Sequence, residues 1–345
     1  MLLSLFAGAG GMDLGFEQSG FKIPVAYDIN ADSIASYNYN RAPDNNGYVA
    51  DIRKVTLKKI DSDFGGIFKP IGIIGGSPCQ SFSKANRSAY DPNDPRHSLP
   101  LEYVRVLRDL NNRNPVHFLV FENVTCFSKG KHEAKYNAFI KAIESAGFAV
   151  SSAELNAVDF GIPQKRKRLI VVGINRSIYS NSIWESPEPS MKSTNNLTVK
   201  NSIGRLKEPM YFKRGIDAQQ NPEHPNHWCM NPVSSRFHTP GALRSGDSSK
   251  RSFKVLDWNK PSLTVAYGNR EVHVHPNCHR RLSVYEAMLL QGFPNEYQLL
   301  GTLSSQIDQV SEAVPPPLAK AIADSISEQF IGPDKAKDTR QKSAA

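Results

Sequence analysis

Before Lys22 the chain carries no lysine or arginine, and its first apolar run, Leu2 to Phe6, is only a strand long. A signal peptide needs a basic start and an apolar core of about 7–15 residues. No secretory leader is therefore expected, despite the small residues Ala7-Gly-Ala9. No apolar stretch approaches the roughly 18 residues that argue for a membrane span. Cysteine is scarce: Cys79, Cys126, Cys229 and Cys278 are the only four, with no close pair. That spacing argues against a disulfide framework and fits a reducing compartment, so a cytoplasmic protein is expected. Acidic residues are also in deficit, 33 against 42 basic, for a formal charge of +9. Between Glu185 and Tyr285 stand 15 basic and 8 acidic residues, so an excess of +7 falls in under a third of the chain. Such a field favours a polyanion, most simply nucleic acid, although charge alone also fits a soluble basic surface.

What is present in quantity is alternation. Leu2–Phe6, Val25–Tyr27, Ile71–Gly75, Phe118–Phe121 and Leu169–Gly173 read as buried strands. Ser33–Arg41, Leu101–Asn111 and Lys135–Ala146 read as helices between them, the last stopped by Gly147. Strands alternating with helices predict an α/β fold, a doubly wound and mostly parallel sheet covered on both faces. From Glu185 (ESPEPSMKSTNN) the sequence turns loop-rich and aperiodic. Helical pattern returns at Leu282 and in Leu318–Phe330, and the polar tail from residue 331 to 345 is expected to be disordered. The expected division is a catalytic and cofactor-binding unit of residues 1–184 plus 305–330, with a smaller loop-rich unit of 185–304.

In a doubly wound sheet, ligands sit at the carboxyl ends of the strands. Phe6-Ala-Gly-Ala-Gly-Gly11 ends the first strand, and Asp28 ends the second, where an acid can accept hydrogen bonds from ribose hydroxyls. Asp51, in YVADI, forms a third element. A glycine turn plus an acid is shared by many nucleotide binders, dehydrogenases included. GIIGGSPCQSFS then places Cys79 on a loop at a strand end, beside an aromatic and small hydroxyl residues, as a candidate nucleophile. The following stretch, SKANRSAYDPNDPRH, is too polar for a core. FENV brings Glu122 and Asn123 to the same rim, so Cys79 and Glu122 should share one pocket.

In this order FAGAGGMDLGFEQSGF, GGSPCQSFS, FENV, QKRKR and RRLSVYEAMLLQGFP resemble the bacterial carbon-5 cytosine-specific DNA methyltransferases, over most of the chain from Met1 to about Ile326. The resemblance implies a Rossmann-like S-adenosylmethionine-dependent methyltransferase acting on a flipped cytosine in a short duplex DNA sequence, within a restriction-modification system. By that similarity Cys79 attacks carbon 6. Glu122, kept protonated by an apolar pocket, steadies ring nitrogen 3; Arg168 lies near the 2-keto oxygen and Arg166 near the catalytic loop. The cofactor falls to Phe6, Ala7, Gly8, Gly10 and Gly11, to Asp28 and Ile29, to Asp51 and Ile52, and to Pro78 and Leu99. The stretch from Ser81 to His97 resembles the loop that closes over the base, with Ser81, Ser83, Lys84, Arg87 and Arg96 available to DNA.

Residues from about Glu185 to Val274 occupy the family's variable target-recognition position. Arg236, Arg244, Arg251, Thr264 and Arg270 are candidates there for DNA contact, phosphate being the commoner partner of any one arginine. HPNHWC and HVHPNCH are rich in His and Cys, but their spacing matches no strong zinc pattern, and no metal is expected. One departure stands out: Ser311-Glu312 precedes Ala-Val-Pro-Pro, where the family usually has Gly-Asn, which places local cofactor contacts in doubt. A monomer is expected. Transfer RNA is the alternative substrate, since enzymes of this fold acting on it share these motifs; a regulator without catalysis gives no reason for Cys79 with Glu122.

Overall fold

The structure, a computed structural model, describes residues 1–78, 94–180, 182–190, 196–215, 220–249, 252–264 and 273–332. Its central sheet has seven strands: β1 (Leu2–Leu5), β2 (Val25–Asp28), β3 (Gly47–Val49), β4 (Gly72–Gly75), β5 (Phe118–Asn123), β6 (Phe148–Asn156) and β7 (Lys167–Asn175). They lie in the order β3-β2-β1-β4-β5-β7-β6. β1 is buried at all four positions, as a strand covered on both faces must be. Alternation along β5 sorts the two faces: Phe118 and Val120 join one apolar cluster, Leu119 and Phe121 the other.

The sheet is mostly parallel, as expected, but the strand containing Leu169–Gly173 is not. β7 runs antiparallel to both β5 and β6. Only the short segment 157–166 separates β6 from β7, fewer residues than the dozen or so that a parallel crossover needs.

Five helices follow the early strands: α1 (Gly11–Gln18), α2 (Ala31–Tyr39), α3 (Leu57–Phe64), α4 (Leu99–Arg113) and α5 (Glu133–Ser145). α3, α4 and α5 cover one face through Ile60, Tyr103, Leu107, Phe139 and Ile143. α1 covers the other with the C-terminal helix α8 (Pro316–Ile326), which follows α6 (Val284–Leu290) and α7 (Leu303–Glu312). At Gly15 of α1 an added Cβ would lie 2.4 Å from the Pro316 carbonyl oxygen and 2.5 Å from the Ala319 Cβ, so glycine permits the close approach. The last helix thus folds back on the first strand-helix unit.

Between residues 185 and 283 regular structure is short. Met210–Tyr211 pairs with Trp228–Cys229, and Lys254–Val255 with His273–Val274; Ser262–Leu263 joins Gln164–Lys165, next to the start of β7. A buried ion pair organises the start of α6. Arg280 donates from both terminal nitrogens to Glu286, each at 2.8 Å, and Glu286 also accepts the Ser283 N–H at 2.8 Å in a capping box. Burial alone would raise the Glu286 carboxyl; Arg280 holds it below the ordinary range. Glu286→Ala leaves a buried guanidinium without its bidentate partner and should cost roughly 3–5 kcal/mol in chemical denaturation. The stabilisation from Glu286 ionisation is present above the ordinary carboxylate pKa and is lost as pH falls through the depressed folded value.

Candidate active site

The chain leaves β1 outward through β2 and β3, then returns to β4 on the other side of β1. This reversal opens a crevice over the carboxyl ends of β1 and β4, the usual ligand position in such sheets. A cleft of about 780 Å³, counting the solvent at its mouth, lies there. Phe6, Ala7, Gly8 and Gly11 line it after β1, and Asp28 at the end of β2. Gly75 ends β4 and Gly76, Ser77 and Pro78 follow it; Glu122 comes from β5, Arg166 from just before β7 and Arg168 from its start. Gln309, Glu312, Ala313 and Val314 close the wall from the end of α7 and the loop beyond.

Left-handed backbone shapes the turn after β1. Phe6 has φ +57°, unusual for a side chain with a Cβ and worth roughly 1–3 kcal/mol of strain. Gly8 has φ +55°, and its N–H donates to Asp28 Oδ2 at 2.9 Å, which fixes the turn to β2. A Cβ at Gly8 would meet no protein atom within 4 Å, so the turn forms an open cradle facing the cleft. Asp28 Oδ1 accepts the Asn30 N–H at 2.8 Å. Burial pushes the Asp28 carboxyl up, while the N–H groups of Asn30 and Gly8 pull it down.

On the opposite wall, Arg168 Nε lies 2.8 Å from Glu122 Oε1, with the two side chains 10% and 11% exposed. The sheet register explains this pair. Glu122 stands opposite Ile170, so Arg168, two residues along β7, projects from the same face as its diagonal neighbour. The pocket around Glu122 is not apolar: burial raises its carboxyl above the ordinary range, but Arg168 and Arg166 pull against it. A Cβ at Gly76 would sit 2.5 Å from the Glu122 carbonyl oxygen and 2.9 Å from Oε2, so the turn after β4 runs directly over this carboxylate. Asn123 pins that turn, donating to the Ser77 carbonyl at 3.1 Å and to Ser77 Oγ at 3.2 Å. The described chain reaches Pro78 at this point, one residue short of Cys79.

Arg166 donates to the carbonyls of Ser311 and Ala313, at 3.0 and 2.9 Å; the loop it is expected to approach lies outside the described residues. Gln291 donates to the same Ala313 carbonyl at 3.0 Å. These bonds hold the wall at 312–314 through backbone oxygens. The clamp thus uses main-chain oxygens that do not depend on the side chains of Ser311-Glu312, and Glu312 lines the cleft.

Several expected cofactor residues lie outside the cleft lining. Gly10 packs the other way, and a Cβ there would sit 2.7 Å from an Arg41 terminal nitrogen. Ile29 is 64% exposed, while Ile52 and Leu99 belong to the apolar core beneath the sheet. Asp51 is held by Arg53 at 2.6 Å. Of the expected DNA contacts, Arg96 pairs with Asp94 at 2.6 Å, Arg236 lies over the Phe253 ring at 5.0 Å, and Arg244 is exposed in a turn. Thr264 Oγ donates to the Lys165 carbonyl at 2.8 Å, next to Arg166. Cys79, Ser81, Ser83, Lys84, Arg87, Arg251 and Arg270 lie outside the described residues, as does the tail from residue 333; Ile331 belongs to the turn that ends α8.

The His/Cys stretches are packed: His224 stacks on Tyr285 at 4.1 Å, His227 Nδ1 lies 2.9 Å from Ser283 Oγ, and Cys229 is buried. Among the described residues no three His, Cys, Asp or Glu side chains converge on one metal position. Among the described residues no helix is long and apolar enough to cross a membrane. Ser4, Asp13, Ser33 and Gln309 also line the cleft, although none was expected as a site residue; Asp13 lies within the first motif.

Comparison with known proteins agrees with this arrangement. Residues 1–328 match the model of the family described as C-5 cytosine-specific DNA methylase. The chain is 32% identical over 366 residues to the type II methyltransferase M.FnuDI of Fusobacterium nucleatum, covering 99% of this chain and 98% of that protein. It is 30% identical to the type II methyltransferase M.NmeDI of Neisseria meningitidis serogroup C, covering 94% and 82%. Its fold is similar to that of a protein described as a DNA modification methyltransferase encoded within an E. coli prophage, at TM-score 0.75 and 22% identity over 95% of this chain and 98% of the other. The S. pombe Dnmt2 methyltransferase has the same fold at TM-score 0.66 and 18% identity, covering 95% and 98%. The chain belongs to the C-5 cytosine-specific DNA methylase family and is a DNA (cytosine-5-)-methyltransferase.

Proposed function

We propose that this chain methylates carbon 5 of a cytosine extruded from a short duplex DNA sequence, through a transient bond to Cys79. The observation that carries this proposal is the buried Glu122–Arg168 pair under the turn that leads to Cys79, set beside the glycine cradle. The cleft fits the cofactor that the family implies, S-adenosylmethionine: the cradle at Gly8 is open, and Asp28 and Phe6 flank it. Phe6, Gly8, Gly11, Asp28 and Pro78 would hold that molecule, whose sulfonium supplies an electrophilic methyl group. Gly10, Ile29, Asp51, Ile52 and Leu99 then act by supporting these residues or by meeting the far end of the ligand.

Cytosine carbon 5 is a poor nucleophile. The Cys79 thiolate forms a bond to carbon 6, and the ring electrons move towards carbon 5 and nitrogen 3. Glu122 in its protonated form gives its proton to nitrogen 3, which neutralises the developing charge. Arg168 orients the Glu122 carboxyl and offers its remaining N–H groups to the exocyclic oxygen. After the methyl group is in place, carbon 5 loses its proton to a base, and Cys79 departs by β-elimination as nitrogen 3 returns its proton to Glu122. Extrusion of the base costs a few kcal/mol, which contacts to phosphate must offset.

The segment 185–304 is the proposed target-recognition unit and the catalytic unit is 1–184 with 305–330. Supporting this are the basic excess between Glu185 and Tyr285 and the bond from Thr264 to Lys165 beside the catalytic arginines. Arg96, Arg236 and Arg244 are proposed to meet DNA there, with Ser81, Ser83, Lys84, Arg87, Arg251 and Arg270. A bacterial cytoplasmic location and a companion endonuclease are part of this proposal, supported by the kinship with type II methyltransferases. Expression in a bacterial host lacking cytosine methylation should create 5-methylcytosine at one short sequence, read by bisulfite sequencing. Unmodified genomic DNA alongside methylated transfer RNA would overturn the assignment of substrate.

A further inference from the structure

One buried acid beside the cleft takes no part in the chemistry above. Asp13, in the first turn of α1, is 0% exposed and lines the cofactor end of the cleft with Ser4. Its Oδ1 accepts from Ser4 Oγ at 2.8 Å and its Oδ2 from the Tyr37 hydroxyl at 2.9 Å. With no accessible surface, its carboxylate acts on a ligand through its field rather than by contact.

The charges around it do not cancel. Arg41, on the segment after α2, lies over the Tyr37 ring at 3.8 Å and donates to both Glu17 oxygens, at 2.9 and 2.7 Å. It also donates to the Tyr297 hydroxyl at 3.2 Å, while Tyr297 donates to the Ala9 carbonyl. Glu17 and Arg41 are the charged neighbours that act on Asp13, and Glu17 already answers Arg41. When Asp13 is ionised the cluster therefore carries one net negative charge under the cradle. A fixed charge in a low-dielectric interior is felt across several ångströms.

We propose that Asp13 makes the cleft select the positively charged sulfonium cofactor over its thioether product, whose sulfur is neutral once the methyl group has left. This rests on the cofactor assignment made above. Loss of the sulfonium charge weakens binding after each turnover and favours product release. Burial pushes the Asp13 carboxyl up to about 6, with Arg41 pulling against it. Selection is therefore present above that pH and fades as Asp13 takes up a proton below it; a bound cation shifts the transition lower.

The test is equilibrium binding of S-adenosylmethionine and S-adenosylhomocysteine, without DNA, by calorimetry at pH 7.5 and 5.5. Both ligands carry the same amino and carboxyl groups, so the ratio of their dissociation constants isolates the sulfonium charge. Asp13→Asn keeps the size of the side chain and removes its charge. At pH 7.5 it should weaken the sulfonium ligand about tenfold and the thioether less than about threefold. The wild-type ratio should shrink at pH 5.5, and that of the variant should shrink less, since Asp28, the other acid of the cradle, remains to respond there. Equal weakening of both ligands, or an unchanged ratio, overturns the proposal and leaves Asp13 a packing residue. Failure of the wild type to bind either ligand overturns the cofactor assignment with it. Should Asp13→Asn not fold, Tyr37→Phe removes one bond to the ionised carboxylate and should move the pH transition of the ratio upward; an unmoved transition counts against the proposal.

Discussion

Cys79→Ala should lose methyl transfer by about 10⁴-fold or more while retaining its affinity for DNA and cofactor within a few-fold. The size of the loss follows from the chemistry of the ring. Without a bond at carbon 6, carbon 5 has too little electron density to take an electrophilic methyl group, and no thiol is among the described residues that line the cleft. The binding surfaces survive, because the Glu122–Arg168 pair, the Asn123–Ser77 bonds and the glycine cradle do not involve the thiol. Single-turnover transfer of a radiolabelled methyl group, run beside a DNA-binding titration, separates the two effects. Parallel loss of both would mean a structural role for Cys79.

The second large effect is expected at Glu122. Glu122→Gln can still offer an N–H to ring nitrogen 3 but has no proton to give, and it leaves Arg168 without its carboxylate. The turnover number should fall about 10²–10⁴-fold, with the KM for cofactor changed only a few-fold. The pH profile carries the finer test. Burial holds the Glu122 carboxyl above the ordinary range, against Arg168 and Arg166. Its protonated form therefore persists closer to neutrality, and activity that depends on it declines as pH rises through that value. Arg168→Ala removes a lowering influence and should move this decline to higher pH; in Glu122→Gln the decline should disappear. A wild-type profile with no such limb would argue that Glu122 acts as a hydrogen-bond partner only.

Much of this site was legible from sequence because its parts sit at strand ends. A short apolar run followed by glycine, proline or an acid marks such an end without knowledge of the fold, and that located the turn after Phe6, Asp28, Ser77-Pro78 and Glu122. The family resemblance supplied Arg166 and Arg168. Periodicity does not carry strand direction, so β7 was legible as a strand but its antiparallel course was not. β6 escaped notice because Phe148–Asn156 is half-exposed, with Ser151 and Ser152 in its middle, and has no continuous apolar run. Asp13 and Gln309 were invisible for another reason: each becomes part of the cleft only when distant segments meet, Asp13 through Ser4 and Tyr37, and Gln309 through Ser36 at 2.6 Å. Gly10 shows the converse. Its place in the glycine run suggested ligand contact, yet its missing side chain makes room for Arg41.

The most direct measurement uses duplex DNA carrying 5-fluorocytosine at the target position. Fluorine replaces the proton that must leave carbon 5, so β-elimination is blocked after the methyl group arrives. In the presence of S-adenosylmethionine the enzyme should accumulate as a covalent complex with the DNA, and mass spectrometry should place the bond on the peptide containing Cys79. Release of unmodified enzyme, or a bond mapped to another residue, would contradict thiolate addition by Cys79.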